Sequence, residues 1–376
     1  MNRRVYFDYS STTNVHPDVL KAYMDLLKTT YVNSESLYDE GTLVSRNLEK
    51  ARNAISELLM IHPDEIIFTS GASEANSEAI KSVSFSIPEK KHIITSQIEH
   101  SSVLNACKQM EDVFNYRVTY LPVNEQGIVS VKDLKNALDN DTSVVSLMSV
   151  NNETGAINPI EEIEEIVKKT SSAYMHVDMT QAIGKVPCSF ENIDLASMSA
   201  HKIEGLKGSG ILVKKKHVPF VPLINGGEQE YGLRGGTNNA CTNMVFAKTL
   251  RIALENEKKY HDYVQKLQTL LLDQLKEIDG VEINNPENNL CSIVNFSYEN
   301  IPSEVMQNAL NRMGFMISAR STCESKSNNP SYVLKAMGYS DRRASSCIRI
   351  SLSYHNTEED ILDFIKALKE IISHYG

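Results

Sequence analysis

The stretch Ser199–Gly210, SAHKIEGLKGSG, decides how this chain reads. It places Lys202 just past a short run, Asp194–Ser199, whose pattern predicts a buried strand. An earlier run, Tyr174–Asp178, ends on the aspartate of HVDMTQ. Tyr174, Met175 and Val177 bury the approach to Asp178, which disfavours a solvated loop carboxylate. An amine and a carboxylate at two adjacent strand ends can act on one ligand. The amine can bond a carbonyl carbon, and the carboxylate can hold a proton on a ring nitrogen. A lone His-Lys pair would carry little weight, so the surrounding motifs matter.

Outward from that stretch, apolar runs alternate with helical patterns. The candidate strands are Glu65–Ser70, His92–Ser96, Arg117–Leu121, Ser143–Val150, Tyr174–Asp178, Asp194–Ser199 and Gly210–Val213. Leu43, Val44, Leu48, Ala51, Ile55, Leu58 and Leu59 form one helical stripe. Pro159 suits the first turn of a helix with Glu161, Glu162, Glu164 and Glu165 early and Lys168 and Lys169 late. This alternation predicts an α/β fold: a mostly parallel seven-stranded sheet flanked by helices, with ligands bound beyond the carboxyl ends of the strands.

The pattern changes near Asn243. A long helical run to about Ile278 is followed by a strand at Cys291–Ser297, a helix after Pro302 and a polar loop around Ser318–Asn329. A strand at Ile348–Leu352 and a last helix, capped at Asn356-Thr357, complete the chain. The expected division is a large ligand-binding domain over 15–255 and a small α+β domain formed by 1–14 and 256–376.

Composition narrows the function classes. The 376 residues carry a net charge of −10, which argues against an extended nucleic-acid surface. The start, MNRRVYFDYSSTT, has no apolar leader core, and no segment approaches the roughly 20 apolar residues of a membrane span. A cytosolic protein is the expectation. The six cysteines form no CxxC pair, so a disulfide framework or a structural zinc site is not expected. Most read as small buried hydrophobes, with Cys323 set apart in its polar loop beside Arg320 and Lys326.

Further motifs carry chemistry, each with a plainer alternative. TSGASEANSEAIKS, at Thr69–Ser82, reads as strand, tight turn and helix. Gly71, Ala72 and Ser73 would meet a phosphate at the helix N-terminus, or merely cap it. His100 in SQIEHSSV could stack on an aromatic ring and move protons, or be structural. Asn151 and Asn152 read as a turn, or as a carboxamide that bonds a ring oxygen or a carboxylate. The loop Gly226–Thr237 is a mobile connection, or a phosphate contact through Thr237. Arg349, between Ile348 and Ile350, faces away from the core, where it could grip a carboxylate or lie on the surface.

Taken in order, FTSGASE, EHSSV, VNNETG, HVDMTQ, SAHKIEGLKG, LRGGT, PSYVLKAMG and IRISLS closely resemble the cysteine desulfurases of the class V aminotransferase family. The likeness runs from Tyr6 to the last helix. It implies a pyridoxal phosphate transferase of fold type I, working as a homodimer with the cofactor on Lys202. His100 would stack over the ring and transfer protons. Asp178 would pair with the ring nitrogen, Gln181 with the ring oxygen, and Asn152 would sit near that oxygen and the substrate carboxylate. Ala72, Ser73, Ser199 and His201 would hold the phosphate, with Thr237 reaching in from the partner subunit. Arg349 would bind the carboxylate of L-cysteine.

The resemblance also implies a reaction. Cys323, matching the branch with the longer mobile loop, would take the substrate sulfur as a persulfide and leave alanine. Acceptor proteins for iron–sulfur clusters or tRNA thiolation would then receive it. Departures are Arg320, Thr322, Ser73, Glu204, Leu206 and Asn225; they bear on acceptor choice and turnover more than on reaction type. Two other readings stay open: a selenocysteine lyase or other β-eliminating pyridoxal phosphate enzyme, and a catalytically quiet scaffold that binds the cofactor. The presence of Lys202, Asp178 and Cys323 weighs against the scaffold.

Overall fold

The computed structural model describes residues 3–319 and 329–375. In chain order the strands are β1 (Val5–Tyr6), β2 (Ile66–Thr69), β3 (His92–Ser96), β4 (Arg117–Leu121), β5 (Thr142–Met148) and β6 (Tyr174–Asp178). Then follow β7 (Leu195–Ser199), β8 (Gly210–Lys214), β9 (Val281–Ile283), β10 (Ile293–Tyr298), β11 (Phe315–Met316) and β12 (Cys347–Ser351).

Seven of them form one sheet in the order β2-β8-β7-β6-β5-β3-β4. All neighbours pair parallel except β8, which runs against both β2 and β7. Most of these strands are buried along their whole length, as helices on both faces require. The mostly parallel α/β sheet expected from the sequence is what forms.

Register explains the site. Asp178 pairs with Met148 on one side and Ser197 on the other, so three strands end at one edge. Because β8 is antiparallel, its first residue, Gly210, lies at that same edge, opposite both Thr69 and Ser199. A side chain there would meet the Gly71 backbone at 2.5–2.8 Å, so glycine lets the β2 turn close down on β8.

A second core lies beside the first. It joins Val5 and Phe7 to Val264, Leu267 and Leu271, to Val294, Phe296, Ile348 and Ile350, and to Phe364 and Leu368. The helix Ala240–Lys276 serves both cores, giving Phe246 and Leu250 to the first and Val264 to Leu275 to the second. β9, β10 and β12 form a small antiparallel sheet, and β1 pairs with β11. Asp8 bridges to Ser351, which seats the N-terminal segment against the small sheet.

Three details correct the sequence reading. Leu43 is 57% exposed and leaves the core stripe of its helix, Asp39–Leu59. Pro159 stands one residue before the helix Ile160–Thr170 rather than inside its first turn. Strand β5 stops at Met148 because the chain turns back there, with Val150 bridging Ile157. The polar loop lies mostly outside the described residues.

Candidate active site

Beyond the carboxyl edge of the sheet lies a cavity of about 460 Å³. Lys202, Asp178, Gln181, Asn152, Ala72, Ser73, Ser199, His201, His100 and Arg349 all line it. Residues spread over nearly 280 positions of sequence thus meet at one edge, most of them delivered by strand ends, helix starts and the turns that follow the strands, and Arg349 by the middle of β12.

Lys202 ends a one-turn helix, Ala200–Lys202, directly after β7. Its Nζ donates to the carbonyls of Ser10 and Ser11, each at 2.7 Å. Asp178 is 5% exposed. Its Oδ1 accepts from the Thr180 N–H and its Oδ2 from Asn76 Nδ2, both at 2.9 Å. Beneath it, burial pushes His176 down to about 4, against the pull of Asp178. The neutral ring bridges the hydroxyls of Ser146 and Ser197 at 2.8 Å each.

His100 is the N-cap of the helix Ser101–Phe114. Its Nδ1 accepts the Ser102 N–H at 3.1 Å, which puts the proton of the neutral ring on Nε2. Ser102 Oγ lies 2.8 Å from the same Nδ1 and accepts from Asn76 Nδ2 at 2.9 Å. Asn76 therefore ties His100 to Asp178 through Ser102. Just before His100, the fully buried Glu99 bonds Ser96 Oγ, and burial raises its carboxyl to about 8.

Arg349 is 1% exposed, while its neighbours Ile348 and Ile350 pack in the second core. Its Nη1 donates to the Asn152 carbonyl at 2.9 Å, and its Nη2 to Asp8 Oδ1 at 2.8 Å and Ser11 Oγ at 2.9 Å. The surface alternative for this arginine falls. Among the described residues, Arg349 Nε and Asn152 Oδ1 are buried with no partner. Orphaned buried polar atoms are rare, and these two belong to residues of the same cavity.

The residues present fit pyridoxal phosphate. No side chain caps the helix Ala72–Ser86, whose N-cap is Gly71 rather than Ser73, so its first turn opens toward an anion beside Ser73 and Ser199. Burial, then Lys202, Lys207 and Lys185, push His201 down to about 4, a sign of positive potential that a phosphate would relieve. Asp178 is a buried carboxylate held by two N–H donors, of the charge a protonated ring nitrogen needs, and Lys202 is an amine within the same cavity.

Two sequence candidates stand elsewhere. Thr237 is exposed and does not line the cavity of this chain. Its loop is pinned from behind by the pairs Arg234–Glu74 and Arg52–Glu230. Cys323 lies outside the described residues. Of the other cysteines, Cys107, Cys241, Cys291 and Cys347 are buried, as expected for small hydrophobes. Asn151 proves to be the turn residue of its pair, its Oδ1 accepting from the N–H groups of Glu153 and Thr154.

Sequence reasoning missed Asp8, Ser10, Ser11, Asn76 and Ser102. Ser102 belongs to EHSSV and Asn76 to the helix after FTSGASE, so each sat within a motif already quoted. Asp8, Ser10 and Ser11 belong to YFDYSSTT, whose likeness was noted without assigning these residues a role.

The comparisons with known proteins agree with this geometry. The aminotransferase class-V pattern matches residues 5–364. The chain is 39% identical over 379 aligned positions to "Cysteine desulfurase IscS" of Clostridium botulinum, covering 99% of this chain and 95% of that relative. Among solved structures, a "NIFS-LIKE PROTEIN" superposes with a TM-score of 0.93 at 38% identity, covering 99% of this chain and 100% of that one. "SspA in complex with cysteine" matches with a TM-score of 0.81 at 31% identity over 92% of this chain and 98% of that one. With a family match over nearly its full length and these relatives, the chain belongs to the class V aminotransferases, which are pyridoxal phosphate enzymes.

Proposed function

We propose that this enzyme is a cysteine desulfurase: it converts L-cysteine to L-alanine and carries the released sulfur on Cys323 to an acceptor protein. The carrying observation is one cavity that joins Lys202, Asp178 and His100 to Arg349, whose buried Nε lacks a partner among the described residues. Relatives named cysteine desulfurase and the neighbour described in complex with cysteine support the substrate.

Pyridoxal phosphate, when bound, supplies an electron sink that acidifies the substrate Cα–H and weakens its bond to sulfur. Ser73, Ser199, His201 and the N–H groups at Ala72 would hold its phosphate, and Asp178 would keep its ring nitrogen protonated. Gln181 and Asn152 would contact its ring oxygen, with His100 stacked on the ring. The protein does the rest. Arg349 takes the substrate carboxylate through Nε, which has no partner among the described residues, and so fixes the amino acid in place. Lys202 moves the proton at the substrate Cα, and His100, with its ring proton on Nε2, is the second proton carrier.

Sulfur transfer balances without an outside oxidant. The Cys323 thiolate forms a bond to the substrate sulfur, the Cβ–S bond breaks, and Cβ gains a proton to give alanine. One thiol and L-cysteine become one persulfide and L-alanine. Iron–sulfur assembly or tRNA thiolation would be the outlet, in a cytosolic homodimer whose partner subunit supplies Thr237. The division into 15–255 and 1–14 with 256–376 belongs to the same proposal; the two cores support it.

The test is incubation of cofactor-loaded enzyme with L-cysteine and, separately, L-selenocysteine. Alanine from L-cysteine, lost in Lys202→Ala, is the expected result. Alanine from L-selenocysteine alone would replace this reading with a selenocysteine lyase, and a visible band unmoved by either amino acid would leave a scaffold.

A further inference from the structure

Gln181 is held from two sides. Its Oε1 accepts from Lys185 Nζ at 2.8 Å, and its Nε2 donates to the Ser10 carbonyl at 2.9 Å. A carboxamide can present either end, and its neighbours decide which. A lysine ammonium can only donate, and a carbonyl can only accept. The two contacts therefore set one orientation. Gln181 also lines the active-site cavity, and its second N–H has no partner among the described residues. The Ser10 carbonyl accepts Lys202 Nζ as well, so Lys185, Gln181, Ser10 and Lys202 form one continuous chain of hydrogen bonds.

Lys185 is an odd residue to find there. It lines a second small cavity, of about 100 Å³, behind Lys202, together with Glu204, Glu257, His261 and Cys291. The residue is half-buried, and burial of its ammonium, then Lys202 and Arg349, pull it down to about 7, with Cys291 acting the other way. A methionine would fill the same space without that burden. A costly group in a site of this kind points to function rather than packing.

We propose that Lys185 is a positioning residue that turns the N–H edge of the Gln181 carboxamide toward the cofactor ring oxygen. This rests on the reading above that Gln181 pairs with that oxygen. Without Lys185 only the Ser10 carbonyl holds this orientation, and the amide turns its own oxygen more readily toward an oxygen that carries negative charge.

The experiment loads wild type, Lys185→Met, Gln181→Ala and the double variant with pyridoxal phosphate and titrates the visible band against pH. Losing a donor to an anionic oxygen strengthens proton binding by the group conjugated with it. The midpoint should rise by about half a unit to one unit in Lys185→Met, the size of one hydrogen bond. It should rise similarly in Gln181→Ala and no further in the double variant. Thermal midpoints without cofactor should be equal or higher in Lys185→Met. A shift in Gln181→Ala with none in Lys185→Met overturns the proposal alone. So does an equal shift by Lys185→Met in the Gln181→Ala background, which would mean that only its charge acts, or a lower thermal midpoint with an unmoved band. No shift in Gln181→Ala overturns the assignment of Gln181 and the proposal with it.

Discussion

Two arginines, Arg52 and Arg349, are almost wholly buried, and their surroundings differ in one respect. Arg52 is complete. Its Nη1 and Nη2 meet the two oxygens of Glu230 at 3.0 Å each, its Nε meets Glu49, and Nη1 also reaches the Ile66 carbonyl. The rings of Phe68 and Tyr231 lie 4.8 and 5.1 Å from its guanidinium carbon. Arg349 satisfies both Nη groups but leaves Nε buried without a partner among the described residues. The first arginine closes a joint between β2 and the glycine-rich loop. The second holds itself in place with part of its fork and keeps the remainder for a ligand. Completeness of pairing, more than burial or charge, separates the structural arginine from the binding one.

The largest effect expected from that difference is on stability. Arg52→Met strands the Glu230 carboxylate in the interior and should cost about 3–5 kcal/mol in denaturant unfolding, with KM for L-cysteine unchanged in the folded fraction. Arg52→Met combined with Glu230→Met should recover most of that loss. If the double variant is no better than the single one, the pairing account of Arg52 fails.

Arg349→Met should show the opposite profile. A charge-assisted contact contributes about 1.5–3 kcal/mol, so kcat/KM should fall by roughly 10- to 150-fold, mainly through KM. Stability should suffer less than in Arg52→Met, because the Asp8 it leaves is partly exposed, at 17%, and can reach water. An unchanged KM would remove Arg349 from substrate binding. Asp8→Asn is the milder version: it weakens the anchor without removing the fork and should raise KM only a few-fold.

The smallest effect sharpens the comparison from the acid side. Glu230 has its arginine, whereas Glu99 is buried with its Oε2 unpaired among the described residues and its carboxyl raised to about 8. A carboxyl raised above its unfolded value binds its proton more tightly when folded. Its contribution is full below about pH 4.5 and is lost as pH rises through about 8. Glu78, at about 8, and Glu164, at about 7, act in the same direction. These three make unfolding easier as pH rises from 5 to 8, against His176 and His201, held at about 4, and Lys185, at about 7, and Glu99→Gln should shift the measured slope toward rising stability. A slope that Glu99→Gln leaves untouched would show that Glu99 is ionised in the folded protein.

The same contrast explains what could be read from the sequence. Strand β3 stands where its β-branched run placed it, because burial on both faces writes itself into local composition, and β6 and the partly exposed edge strand β4 also keep the bounds their sequence gives them. β7 loses Asp194 because that side chain turns to accept the Met175 N–H. The residues at strand ends were legible through their motifs. The partners of Arg349 were not, since Asp8 lies 341 positions away and nothing local to either residue signals the contact. The orientation of the Gln181 amide was likewise invisible, depending on Lys185 and on a carbonyl 171 positions distant. Thr237 looked like a site residue by motif alone, and within this chain its exposed position keeps it apart from the cavity.

The most direct measurement is a single turnover of cofactor-loaded enzyme with L-cysteine and no added thiol, read by alanine release and by mass spectrometry of the cysteine-containing peptides. One alanine should appear for each gain of one sulfur atom, with that sulfur on Cys323 and absent in Cys323→Ser. Alanine released with the sulfur on a different cysteine, or no alanine at all, would contradict the account.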